Sequence, residues 1–311
     1  MNQQQKQYIL AVDVSKESLQ IQCVDRSFEV PNQKSGFTKI IKDAQKFESP
    51  FVILESSGGY EKALMSALYE AKISVARISA DRVRAFAKSE GIRAKNDSLD
   101  AKVLLRFAQE KHPKPTPAPT PEESEMAEAL DRRTQLSNML TQEKNRLEMA
   151  SKSSKASINR VIKTFESEMR KTEKRIREIV EAHPALKTKF KEVTEVSGVG
   201  EITGWAIVAY VPEITRLNRN QLVALVGLAP FDKDSGKMRG PRRIEAGRAK
   251  VRRALYMAAL VASKHNPVIR AYVERLKAAG KPHKAAMTAA MRKLLIHIQS
   301  RLKTLEKSES V

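Results

Sequence analysis

Disulfides are excluded at the outset: the 311-residue chain has one cysteine, Cys23, which also rules out a multi-thiolate zinc site within a single chain. The five histidines (His112, His183, His265, His283, His297) lie far apart and give no paired metal-ligand spacing. Aromatic residues make up 5% of the chain and include one tryptophan, Trp205, so no interleaved platform for stacking bases is legible. No apolar run approaches the roughly 18 residues of a membrane-spanning helix. The polar stretch Met1 to Gln7 lacks the apolar segment of a signal peptide. A soluble, reducing, cytoplasmic setting is the expectation. Acidic residues are outnumbered, 36 Asp and Glu against 57 Lys and Arg, for a formal charge of +21. That excess calls for a polyanionic partner, most commonly a polyphosphate backbone.

Patterning divides the chain into four spans. Residues 1–110 read as α/β, with strands at Tyr8–Val14, Leu19–Val24, Phe28–Val30, Phe51–Leu54 and Ile73–Ile78 and helical spacing between and after them. Residues 111–121 carry five prolines and no apolar periodicity, the signature of a stiff extended linker. Residues 122–182 contain neither glycine nor proline. Ile158, Ile162, Phe165, Met169, Thr172, Ile176 and Ile179 step by four and three, a heptad seam that predicts a coiled coil. The Ser/Lys-rich stretch Ala150–Ser157 is either the turn of an antiparallel hairpin or a weak point in one long helix. Residues 183–311 read as mostly helical. Within them Val196-Ser-Gly-Val-Gly-Glu resembles a helix-hairpin-helix turn in which Gly198 and Gly200 let backbone N–H groups approach a phosphate; a plain inter-helix turn is the alternative.

Four carboxylates stand where a divalent-metal nuclease core would place them. Asp13 and Glu55 lie at the ends of apolar strands, and Asp97 and Asp100 share a helix face one turn apart. Hard Mg²⁺ takes oxygen ligands, typically a few carboxylates plus substrate phosphate, and such a cluster is costly without a cation. A second region runs from Leu228 to Gly247 and gathers Lys233, Lys237, Arg239, Arg242 and Arg243, followed by Arg248, Lys250, Arg252 and Arg253. Its glycines permit close backbone approach to phosphate. Ser235 sits at its tip in Asp-Ser-Gly, which by itself is either an ordinary turn or a nucleophile activated by the surrounding cations.

Taken in order, Ala11-Val-Asp13-Val-Ser-Lys16, Glu55-Ser-Ser-Gly-Gly-Tyr60, Gly91-Ile-Arg-Ala-Lys95-Asn-Asp97-Ser-Leu-Asp100, Gly198-Val-Gly200 and Gly227-Leu-Ala-Pro230 leading to Asp234-Ser235-Gly236 resemble one family. It is the DEDD-type insertion-sequence transposases, the RNA-guided bridge recombinases, related to the Piv/MooV DNA invertases. The resemblance implies a RuvC-like (RNase H fold) N-terminal domain binding Mg²⁺ through Asp13, Glu55, Asp97 and Asp100. It also implies an oligomerising coiled coil and a C-terminal domain whose Ser235 attacks DNA. Lys16, Lys95, Gly198, Gly200 and the loop cations would contact nucleic acid. Donor and target DNA, a bridge RNA and a homotetramer are the implied partners. Two other readings stay open: a metal-dependent junction resolvase or nuclease using water, and a non-catalytic nucleic-acid-binding scaffold.

Overall fold

The computed structural model describes residues 8–92, 97–231, 243–244 and 246–309. It forms two compact units, Met1–Ala118 and Pro119–Val311.

The first unit contains β1 (Tyr8–Val14), β2 (Ser18–Gln22), β3 (Ser27–Pro31), α1 (Lys34–Ala44), β4 (Pro50–Glu55), α2 (Lys62–Glu70), β5 (Ser74–Ile78), α3 (Ala80–Ser89) and α4 (Asp97–Lys111). The strands form one sheet in the order β3-β2-β1-β4-β5. β1, β2 and β3 make an antiparallel meander, and β4 and β5 continue parallel to β1. β1 and β4 read as unbroken apolar runs because both their faces are covered. Leu10, Val12, Val14, Val52 and Leu54 face Phe37 and Ile40 of α1 and Leu64 and Leu68 of α2. Ile9, Ala11, Phe51 and Ile53 face Val83 and Phe86 of α3 and Val103, Leu104 and Phe107 of α4. A one-residue slip would exchange the two sets of side chains, so the register of the strand ends follows from how each set fits its own pair of helices.

Residues 112–120 of the proline-rich segment form neither helix nor strand, and those up to Ala118 belong to this unit. Thr116 donates its N–H to Val75 O (2.7 Å) and accepts from Arg77 N at Oγ1 (2.9 Å). The free edge of β5 is thereby covered.

The second unit opens with α5 (Pro121–Met149) and α6 (Lys152–Ala182). Thr120 and Glu123 form a capping box at the start of α5, with Pro121 in the first turn. The chain turns at Ala150 and Ser151, and ion pairs Lys144–Glu166 (3.0 Å) and Arg133–Glu173 (2.8 Å) make the two helices antiparallel. Of the two readings of this stretch, the hairpin is the one adopted. Ile162, Ile176 and Ile179 of the seam are buried, whereas Phe165 and Met169 between them are half-buried. Met126, Leu130, Ile176, Ile179 and Val180 share one core with Trp205, Leu255 and Leu294. The base of the hairpin is thus continuous with the core of the C-terminal helices, where the sequence suggested separate segments meeting near residue 182. α7 (Pro184–Thr194), α8 (Glu201–Tyr210), α9 (Arg219–Val226), α10 (Ala249–His265), α11 (Pro267–Ala278) and α12 (His283–Glu309) complete the unit, with a short antiparallel pair β6 (Pro230–Phe231) and β7 (Arg243–Ile244).

Candidate functional site

Register places the first two acids side by side. Val12 of β1 pairs with Leu54 of the parallel β4, so Asp13 and Glu55 occupy the next position on neighbouring strands, at their carboxyl ends. Ligands of open α/β sheets gather at such ends. Both acids have the parity of Ile9, Ala11, Phe51 and Ile53, which puts them on the sheet face that α4 covers. Asp100 lies in the first turn of α4, three, four and seven residues before Val103, Leu104 and Phe107 of the same core. Asp13, Glu55 and Asp100 are each half-buried. Among the described residues, no three His, Cys, Asp or Glu side chains gather closely enough to hold a metal ion. The side chain of Asp97, the fourth candidate, lies outside the described residues, as do Lys95, Lys233, Ser235, Lys237, Arg239 and Arg242 and the side chain of Arg243. The donor chemistry of the acids, oxygen only, fits a hard divalent cation.

The loops that follow Asp13 and Glu55 are pinned by residues that sequence reading passed over. Asn32 donates through Nδ2 to Ser15 O (2.8 Å) and Tyr60 O (3.3 Å), one carbonyl from each loop. Its own N–H reaches Glu17 O (2.9 Å). Lys16, exposed, lies in the first of these loops. In the second, Gly58 and Gly59 take φ of +74° and +117°, conformations that favour glycine. The turn they allow wraps around Glu61, which is 3% exposed. Its carboxylate accepts from Gly59 N (2.8 Å), Ser57 N (3.3 Å) and Ser57 Oγ (3.1 Å) and pairs with Arg77 (3.4 Å). Burial alone would raise this carboxyl's pKa. The N–H groups of Glu61 and Gly59, the Ser57 hydroxyl and Arg77 outweigh burial and hold it below the usual carboxylate range. The available signal was a Glu directly after Gly-Gly-Tyr at a helix start.

In the second unit, Gly198 (φ +98°) packs on α10, where a Cβ would come within 2.5 Å of the Ala262 Cβ. Gly200 caps α8 with open space beside it. The excursion carrying Ser235 is closed at its base by β6 and β7 and by two interlocked glycines. A Cβ on Gly227 would lie 2.3 Å from Ala246 O, and one on Gly247 would lie 2.3 Å from Gly227 N. Three of the expected phosphate contacts brace this base. Arg248 grips Glu213 through both guanidinium nitrogens, Lys250 pairs with Asp131, and Arg252 donates to the Val226 and Ala246 carbonyls. Arg253 is exposed. Gly227→Ala is therefore expected to cost about 3 kcal/mol of stability, because φ is +76° and the opposing atom is backbone. Thermal unfolding checks this, and a shift under 1 °C would contradict it.

No described helix is long and apolar enough to cross a membrane. A family profile described as transposase, of the DEDD type, matches residues 10–151, and the transposase IS116/IS110/IS902 family profile matches residues 191–274. The pilin gene-inverting protein of Moraxella lacunata is 25% identical over 248 residues, 78% of this chain and 77% of that protein. The insertion element IS110 43.6 kDa protein of Streptomyces coelicolor is 30% identical over 120 residues, 38% of this chain and 29% of its own. Among solved structures, T. thermophilus RuvC in complex with a Holliday junction substrate is similar at 14% identity and a TM-score of 0.28, covering 35% of this chain and 99% of RuvC. The chain belongs to the IS116/IS110/IS902 transposase family, enzymes that act on DNA.

Proposed function

We propose that this transposase exchanges DNA strands by transesterification, with a RuvC-like acidic centre in the first unit and Ser235 of the second as nucleophile. The adjacency of Asp13 and Glu55 at the carboxyl ends of β1 and β4, on the face covered by the helix that bears Asp100, supports the reading most directly. The sheet order and strand directions agree with an RNase H fold. Asp13, Glu55, Asp97 and Asp100 would hold Mg²⁺, which when bound polarises the scissile phosphate. The Ser235 oxygen forms a bond to phosphorus as the bond from phosphorus to the departing sugar oxygen breaks. The serine gives up its proton and the departing hydroxyl takes one. The resulting phosphoserine conserves the bond energy for religation to a second strand. Lys233, Lys237, Arg239, Arg242 and Arg243 neutralise charge on the phosphoryl oxygens, while Arg248, Lys250 and Arg252 hold the loop in place. Lys16, Lys95, Arg253 and the turn at Gly198 and Gly200 track the DNA backbone. Target choice is assigned to a bridge RNA pairing with donor and target DNA, and assembly to a tetramer joined through the α5–α6 hairpin.

The decisive comparison uses Ser235→Ala with cognate DNA and co-purified RNA. The parent protein is expected to form an adduct with DNA that survives denaturation, and the variant none. An undiminished adduct or undiminished recombination in the variant removes Ser235 from the chemistry. Free cut ends without any adduct would favour the water-using nuclease.

A further inference from the structure

The face of the N-terminal sheet opposite the acids carries a groove of about 650 Å³ between β3 and α1. Its lining includes Arg26, Phe28, Lys39, Lys42, Asp43 and Lys46. Phe28 has the parity of Val30, on the side where Val30 packs with α1, so the groove and the Asp13–Glu55 pair lie on different faces. Asp43, 8% exposed, forms the floor. It accepts from Arg26 through both oxygens (2.7 and 2.6 Å) and from Lys46 (3.1 Å). That pairing orients the two cations but neutralises only one charge. Lys39 and Lys42 stand exposed on the rim, near successive turns of α1. The two step about 4.5 Å along the helix axis, and Lys46 follows just past the end of α1. The Phe28 ring, half-buried, lies 5.7 Å from Lys39 Nζ and 6.0 Å from the Arg26 guanidinium carbon.

We propose that this groove binds a single strand of nucleic acid, with phosphates on Lys39 and Lys42 and a base against Phe28. A cationic groove beside an aromatic ring is how sequence-tolerant single-strand sites are built: charge tracks the backbone and stacking accepts any base. A duplex keeps its bases stacked on one another and has none to offer Phe28. Asp43, the buried polar group of the floor, is taken up by Arg26 and Lys46 rather than left to read a sugar hydroxyl, so DNA and RNA strands bind alike. The site stands whether or not Ser235 is the nucleophile.

The test uses full-length Phe28→Trp protein. The native tryptophan, Trp205, is 1% exposed, so fluorescence quenching on adding oligonucleotide reports position 28. Oligothymidylate and oligouridylate are expected to quench equally, and a blunt duplex of the same length not at all. In the native-Phe28 background, Lys39→Gln with Lys42→Gln should reduce the slope of log affinity against log salt by about 1.4 for a labelled oligothymidylate, two phosphate contacts' worth. No quenching, equal quenching by duplex, or an unchanged salt slope overturns the proposal.

Discussion

Alanine at Glu55 or at Asp100 is expected to lower strand cleavage by at least about a thousand-fold, roughly 4 kcal/mol of transition-state stabilisation. Glu55 lies on the sheet face that α4 covers and Asp100 in the first turn of α4, and both supply only oxygen donors. In the proposed centre each acid is a ligand, so removing one would take away both a donor and part of the negative charge that attracts a divalent cation. Folding should be nearly untouched. Both acids are half-buried rather than fully buried. Single-turnover cleavage of cognate DNA, beside thermal unfolding, separates the two effects. Turnover at the parent rate in either variant would discard the metal-site assignment. A large fall in unfolding temperature would assign the acids to structure instead.

The second large effect belongs to Glu61. Glu61→Ala leaves the N–H groups of Ser57 and Gly59 and the Arg77 guanidinium without the carboxylate they now share. Breaking a buried, hydrogen-bonded charge pair from one side is expected to cost about 3 kcal/mol, or a fall of about 10 °C in Tm. Cleavage should fall as well, because the loop that leaves Glu55 is the one that loosens. Glu61→Gln keeps the shape and one acceptor, so it should retain roughly half the lost stability. The acid dependence has a definite sign. The folded carboxyl lies below its ordinary value, so its stabilisation is present above the unfolded pKa of about 4.3 and is lost as pH falls through the folded pKa. The stability gap between parent and Glu61→Gln should therefore close in acid. A gap unchanged between pH 7 and pH 3 would show that the charge contributes nothing.

Much of this was legible in the sequence because it is local. Apolar runs located the five strands, and two acids at run ends located Asp13 and Glu55. What escaped depends on distant partners. Asn32 acts through carbonyls 17 and 28 residues away, and Arg77 reaches Glu61 across 16. The basic sequence around Arg248 and Lys250 suggests phosphate contacts. Their carboxylates, Glu213 and Asp131, lie 35 and 119 residues off. The heptad seam predicted a helical pairing, but periodicity says nothing about where a paired helix ends and a shared core begins. Trp205, Leu255 and Leu294 join the hairpin base to the C-terminal helices only in three dimensions.

Thr116 on the flank of β5 has a further consequence. An uncovered strand invites another polypeptide to extend the sheet, the usual route to runaway association. Here the backbone positions of Val75 and Arg77 on that flank are already engaged by Thr116. At the opposite flank, β3 carries Glu29 and ends in Pro31, a charge and an imide that discourage pairing. Both flanks of the sheet are thus closed to a sixth strand, and it keeps five members however crowded its surroundings become.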